Sequence, residues 1–600
     1  MGQLTPLVNF NRLGGPTAFR APARVNPGRP PEPTARPGRS DLLVFRKPYL
    51  GRPVPLGPEM TLKTTDELST IEQEIVDHFF IARPTVGTSL GLHQFDGVLP
   101  DLSITGTRRW AATARELLTK LRDIRETGLA TGRRMDRTIL DLLLEGVIFD
   151  LEESGDYDRN PMAYLFQPNL TDYLIREYAP VEERLEAICT ILTKVPPLLD
   201  GAKERLTRAL PRPFVTLAIQ IASGLPAHFA EADALAEPGS SALRANLHEA
   251  LEKADAAVMS FARWLKEERL AEAGESFALG RERFQRLLWV REGLTTPFDE
   301  VLRRGRADLK QNQDRLNEIA RGAGVAADQL IARLNNQHPT TEELIPVARR
   351  VSEEIREFVR QRDLVTIPEP AICHVRETPP WARNLWTAAM SPPGPFEKPV
   401  DGIYWVTSID PAWTPTQKEE WMRTFNFAML KNTTVHEVWP GHYLQALHFR
   451  KTEQSLARKV WFSYSFCEGW AHYCEQAALE AGYDGRSIEA EVTQLKDALI
   501  RDGRLIVSIE MHTRGMSVAD AAQTLRTEAH LEEIHAQREA IRGTYNPEYF
   551  CYTLGKLAIL DARSKYLATR FHSSLKEFHD AVLASGTPPI GLLDSALSGA

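Results

Sequence analysis

The chain has 600 residues, 43% hydrophobic and 25% charged, with a net charge of −8, which allows a large buried core and gives no general reason to expect a nucleic-acid partner. No run approaches the roughly 18 apolar residues of a membrane span, and no apolar stretch near the N-terminus has the form of a secretory signal. Five cysteines with no C-x-x-C pair fit reduced thiols better than a disulfide framework, so the expectation is a cytoplasmic protein with no membrane and no nucleic-acid partner.

Residues 1–58 hold 12 of the 40 prolines, and eight Arg and one Lys against Glu32 and Asp41 make them +7. Such a segment cannot bury enough apolar surface to offset its ordering entropy, so it is predicted to be disordered. Residues 59–600 are expected to form one helical domain, with two lobes around a cleft as a variant and the half that carries the candidate chemistry at about 395–570. Leu68, Ile71, Ile75 and Phe79 recur at helical steps. Leu344, Val347, Val351, Ile355 and Phe358 do the same behind a Thr340/Glu343 capping box. Further helices are predicted near 109–126, 138–153, 181–194, 243–272, 312–335, 486–511, 517–542 and 553–570. The turn signals between them include 195-VPP-197, 236-AEPGSS-241 and 368-PEP-370. One stretch reads as strand: Ile403, Tyr404, Trp405 and Val406, bounded by Gly402 and Asp410. The fold class that follows is mostly α with a small sheet.

The stretch 433-TTVHEVWPGHYLQ-445 carries the chemistry. A zinc-protease helix places two histidines four residues apart, but His436 and His442 are six apart. On a straight helix that step turns about 600°, so the two would face different sides. Pro440 cannot donate to the carbonyl four residues back, and Gly441 reaches dihedrals closed to other residues. Together they are expected to bulge two residues out of the helix and return both histidines to one face, with Glu437 beside the metal. A third ligand is needed. Glu468, 26 residues after His442, has the spacing of a gluzincin carboxylate. His448 is the rival, but 443-YLQALHF-449 contains no breaker, so the helix is expected to run on past it. Nitrogen and oxygen ligands favour one Zn²⁺, with cobalt or manganese able to fill the same site. The bland alternative for each residue is a solvated helix face or a core histidine, and His448 and His472 are read that way. Glu475 shares a helix face with Glu468 and either receives a ligand histidine's N–H or is an exposed charge.

These residues also resemble a known family. H436-E-V-W-P-G-H442-Y-L-Q445 and E468-G-W-A-H-Y473-C-E475 look like the two motifs of a bacterial family, domain of unknown function 885, which is itself similar to gluzincin-type zinc metallopeptidases. The likeness spans about residues 62–590, taking in 84-PTVGTSLGLHQFD-96, 365-VTIPEP-370, 511-MHTRGMS-517 and 545-YNPEYFCYTLGKL-557. Where many members have Asp-Thr-Gly-x-His this chain reads 508-SIEMH-512, and where many have Pro-Gly-Gln it reads 547-PEY-549; His512, Tyr552 and Gly555 are kept.

The resemblance implies a gluzincin-like fold and a zinc peptidase acting on short peptides, with Glu437 as general base. It makes His512 and Tyr552 the candidate donors to the oxyanion. The strand holding Tyr404 is expected to offer an edge to an extended peptide. Arg514 or Lys556 is expected to pair with a substrate C-terminal carboxylate, as in a carboxypeptidase or dipeptidase. Two rivals stand beside this reading: a zinc hydrolase of a non-peptide amide or ester, and an inactive helical scaffold on the same fold.

Overall fold

The structure is a computed structural model that describes residues 67–236, 241–379, 383, 386–452, 454–570 and 572–598. The Pro/Arg-rich segment 1–58 lies outside the described residues, as does most of the turn expected at 236–241.

The described chain is mostly helical, as the periodicity predicts. Glu67–Ala82 buries Leu68, Ile71, Ile75 and Phe79 on one face. Thr341–Gln361 buries Leu344, Val347, Val351 and Ile355 behind the expected capping box, in which Thr340 Oγ1 accepts from Glu343 N–H and the Glu343 carboxylate accepts from Thr340 N–H.

Three expectations differ. The helix expected over 181–194 runs on to Arg205, straight through Pro196 and Pro197. Each proline forfeits one backbone hydrogen bond; Leu192, Val195 and Leu199, all buried, keep the segment in register against its neighbours. The segment expected over 312–335 is two helices, Phe298–Gly322 and Ala327–Asn335, turned by Gly324 at positive φ. The segment 517–542 is also two, Val518–Glu528 and Glu533–Tyr545. Neither proline nor glycine marks that break. In addition, Arg212–Ala236 is long and apolar enough to cross a membrane by length and composition, which the reading of the sequence did not pick out. Its Phe214, Val215, Ala218, Ala222 and Phe229 pack into the protein core.

The expected strand is present as the middle of a three-stranded sheet: β1 Cys373–Glu377, β2 Ala388–Ser391 and β3 Gly402–Val406. The order is β1-β3-β2, with β3 parallel to β1 and antiparallel to β2. Both edges of β3 are therefore taken, and Tyr404 is fully buried. It cannot be the open edge expected to bind a peptide. The edge strand that reaches the cavity described below is β2.

Four large apolar clusters support the site. The sheet and the helices Phe427–Glu437, His442–Lys451 and Tyr464–Glu480 share one of them. The long helix Ile488–Thr513 is clamped between two others. Leu495, Leu499 and Ile506 enter one and Val507 and Met511 the other.

Candidate metal centre

The helix Phe427–Glu437 stops at Glu437, and a new helix starts at His442. The sequence led us to expect a bulge within a continuous helix, but the structure has a full break across 438–441. Gly441 makes the break possible. A Cβ there would lie 1.8 Å from the His436 carbonyl oxygen, so no larger residue fits without moving the backbone. Its N–H donates to Val435 O at 3.1 Å, which ties the second helix to the end of the first. The two imidazoles meet with ring centroids 4.8 Å apart at 88°.

Glu468 comes from Tyr464–Glu480. That helix is pressed against Cys551–Thr569 where Gly469 meets Gly555: a Cβ on Gly555 would lie 1.6 Å from Ser465 O. The close approach places Tyr552 beside Glu468. Glu468 Oε2 lies 3.4 Å from His436 Nε2 and 3.6 Å from His442 Nε2. These separations exceed a normal hydrogen bond. They match the edge of a tetrahedron, because ligand atoms about 2.0–2.1 Å from a tetrahedral ion sit about 3.4 Å apart. Among the described residues this is the one group of His, Cys, Asp and Glu whose ligand atoms converge, all within 4.8 Å of one another. Glu468 Oε2 is buried and makes no hydrogen bond. A buried carboxylate oxygen without a partner is costly, and a cation at this point would remove the cost. The donor set and its spacing therefore fit a divalent ion such as zinc. Burial alone would raise the Glu468 pKa; the two histidines overcome it and hold the carboxyl well below the usual carboxylate range.

Glu475, two turns along the same helix, is fully buried. Its Oε1 accepts from His436 Nδ1 at 2.7 Å. That hydrogen bond turns Nε2 toward Glu468, the arrangement by which carboxylates orient ligand histidines. Arg501 pairs with Glu475 at 2.9 Å and Asn432 Nδ2 donates to it at 3.3 Å, so the carboxylate stays charged despite burial. The sequence reading missed Arg501. The signal was there: Asp497, Arg501, Arg504 and Ser508 recur at helical steps and form one polar stripe along the helix Ile488–Thr513.

His436 and Glu437 open onto a cavity of about 1040 Å³ that Thr387, Ala388, Arg504 and Tyr552 also line. Burial raises the Glu437 pKa, opposed by His436 and His442. Burial, with the Glu468 charge close by, pushes the Tyr552 phenol up and keeps it protonated. Arg501 and Arg504 flank its ring, with guanidinium carbons 5.6 and 5.1 Å from the centroid.

The other expected site residues are elsewhere. His512 is a structural residue. Leu279 N–H donates to its Nδ1 at 3.2 Å and Nε2 binds Gly543 O at 2.8 Å, so neither nitrogen is left for a substrate. Burial holds its pKa down at about 4. Arg514 is exposed and paired with Asp299 at 2.7 Å. Lys556 is buried and paired with Asp308 at 3.0 Å. Neither lines the cavity. His448 binds Thr366 O, and His472 sits in the core beside Glu475, as read from the sequence.

A mostly helical chain with a buried His-Glu…His…Glu cluster at the wall of a deep cavity is the class that fold and site define. The chain belongs to the bacterial family of proteins of unknown function DUF885, whose model matches residues 84–597. Two solved structures are similar over most of the chain, each named as a candidate lipoprotein. That from Shewanella oneidensis, of unknown function, is 22% identical with a TM-score of 0.74, covering 88% of this chain and 98% of its own. That from Colwellia psychrerythraea is 18% identical with a TM-score of 0.76, covering 89% and 98%. At these identities the likeness concerns the fold. No curated protein matches the chain.

Proposed function

We propose that this protein is a zinc-dependent peptidase of gluzincin type that hydrolyses short peptides in the manner of a carboxypeptidase or dipeptidase. The observation that carries the reading is the convergence of His436, His442 and Glu468 within 4.8 Å of one another around a carboxylate oxygen with no hydrogen bond, 3.4 and 3.6 Å from the two imidazole nitrogens. Zinc held there would polarise a carbonyl and lower the pKa of a bound water toward about 7.

The chain's own groups supply the rest. Glu437 faces the cavity next to the ligands and takes the attacking water's proton, then delivers it to the leaving amine. Tyr552, kept protonated, donates a hydrogen bond to the oxyanion as charge develops. Glu475, charged by Arg501, holds the His436 ring in its ligand orientation. Thr387 and Ala388 bring the edge strand β2 to the cavity, where an extended peptide can lie. The cavity volume suits a short peptide better than a folded protein.

All five cysteines are free, which supports a reducing compartment; the names of the two similar structures speak for the cell envelope, and cell fractionation separates the two. The test of function is metal content and peptide turnover of the wild type beside Glu468→Ala. About one zinc per wild-type chain, strongly reduced in the variant together with turnover, is the expected result. A wild type that stays metal-free after dialysis against Zn²⁺ overturns the reading and leaves a scaffold. Zinc with turnover only on non-peptide esters or amides moves the substrate class.

A further inference from the structure

The wall of the cavity that His436 and Glu437 enter is formed partly by the helix Glu533–Tyr545, which contributes His535, Arg538 and Glu539. Arg538 is half-buried there and makes no ion pair with any described residue; no carboxylate acts on it, and burial alone depresses its pKa. The local sequence explains the missing partner. One helical turn away in either direction lie Ile534, His535, Ile541 and Arg542, none of them acidic. The adjacent carboxylate, Glu539, is taken in a two-pronged pair by Arg504 at 2.8 and 2.7 Å. Glu532 and Glu533 are exposed at the helix start and do not pair with it.

The excess of positive charge is therefore local. Arg504 and Arg542 share the Glu539 carboxylate, while Arg538, on the same helix as Arg542 and Glu539, has no carboxylate acting on it. Arg504 and Arg542 are buried; Arg538 is the one of the three that combines access to the cavity with no acidic partner. The wall is also rigidly tied to the metal ligands. Glu539 holds Arg504, Arg504 and Arg501 flank Tyr552, and Arg501 holds Glu475, which holds His436.

A half-buried guanidinium with unused donors, at a fixed place in a cavity that also contains the general base, is built to receive a planar anion. We propose that Arg538 is the residue that determines specificity, pairing with the C-terminal carboxylate of the peptide and making the enzyme an exopeptidase. This rests on the peptidase reading above. It moves the carboxylate-binding role from Arg514 and Lys556, which are committed to Asp299 and Asp308, to a residue with free capacity. Arg538→Gln is expected to fold normally, because it breaks no ion pair.

The experiment uses full-length chain carrying Glu437→Gln, to prevent turnover, and calorimetric binding of N-acetylated tetrapeptide pools lacking Asp and Glu. One pool is a free acid and the other a C-terminal amide. A third, amidated pool carries an internal Glu. Wild-type protein is assayed for cleavage of the same pools. The expected result is that the free acid binds at least about tenfold tighter than the amide. That gap collapses when Arg538→Gln is added and is partly restored by Arg538→Lys. Equal binding of acid and amide, or a gap that survives Arg538→Gln, overturns the assignment; cleavage by the wild type then leaves the peptidase reading standing. Binding of the internal-Glu amide as tightly as the free acid also overturns it, because the arginine then reads an acidic side chain. If no pool binds and none is cleaved, the peptidase reading falls and the assignment falls with it.

Discussion

Two buried polar clusters lie within this helical protein, and they are built on opposite principles. In one, Asp502 accepts from Thr553 at 2.7 Å and from Asn312 at 2.8 Å, while Lys556 pairs with Asp308 at 3.0 Å. Its hydrogen bonds close within the cluster, and none of these residues lines the cavity beside His436 and Glu437. In the other, His436, His442 and Glu468 point their ligand atoms at one spot and leave Glu468 Oε2 without a hydrogen bond, while Glu475 behind them is held by His436, Arg501 and Asn432. Buried polar groups are ordinarily paired. A closed network therefore reads as architecture, and an open one, braced from behind and facing a cavity, reads as a place for a ligand.

Mutation of each cluster should break this comparison in a different way. The largest effect is expected from Glu437→Gln, with kcat for peptide hydrolysis down by about 10²–10⁴ and zinc content unchanged; loss of zinc as well would mean that Glu437 is a ligand rather than the base. Next comes Lys556→Ala, which strands the partly buried Asp308 carboxylate. It should cost about 3–5 kcal/mol in denaturant unfolding while turnover per folded molecule is retained. A loss of turnover without loss of stability would put Lys556 in the site after all. Glu475→Gln weakens the hold on His436 and should lower zinc affinity about 10–100-fold by competition with a chelator, with little change in Tm of the metal-free protein.

A further effect concerns pH. Burial, with Asp308 beside it, pushes the Asp502 carboxyl up to about 8, against about 3.9 when unfolded. Between those values the folded chain binds more protons than the unfolded chain, so this group's contribution to stability falls as pH rises from about 4 to about 8. Asp502→Asn removes that loss. The Tm of the variant relative to wild type should rise from pH 5 to pH 8; a difference independent of pH would show that Asp502 is already ionised in the fold.

Where the reading of the sequence and the structure part, the cause is specific. Spacing brought out His436, Glu437, His442, Glu468 and Glu475, because short-range geometry on helices fixes which side chains can face one another. The family resemblance also put forward His512, yet that imidazole is locked between Leu279 N–H and Gly543 O. Those partners lie far away along the chain, and no local pattern announces them. Tyr404 failed for a similar reason: a strand's composition does not say whether it is central or at an edge, and here β1 and β2 flank it. The double proline at 196–197 reads as a turn, but apolar packing on both sides of it outweighed two lost hydrogen bonds. Arg538 was passed over because an arginine on an amphipathic helix is usually a solvated charge.

The sequence by itself determined the helical class, the strand at 403–406, the interruption between His436 and His442 and the candidate group His436, His442 and Glu468, since these follow from periodicity, from Pro440 and Gly441, and from spacings along the chain. The tertiary structure alone decided which charges are already neutralised and which remain open. Arg514, Lys556 and Arg538 are the same kind of residue along the chain. They differ only in whether folding brings a carboxylate to them, and that depends on contacts between segments hundreds of residues apart.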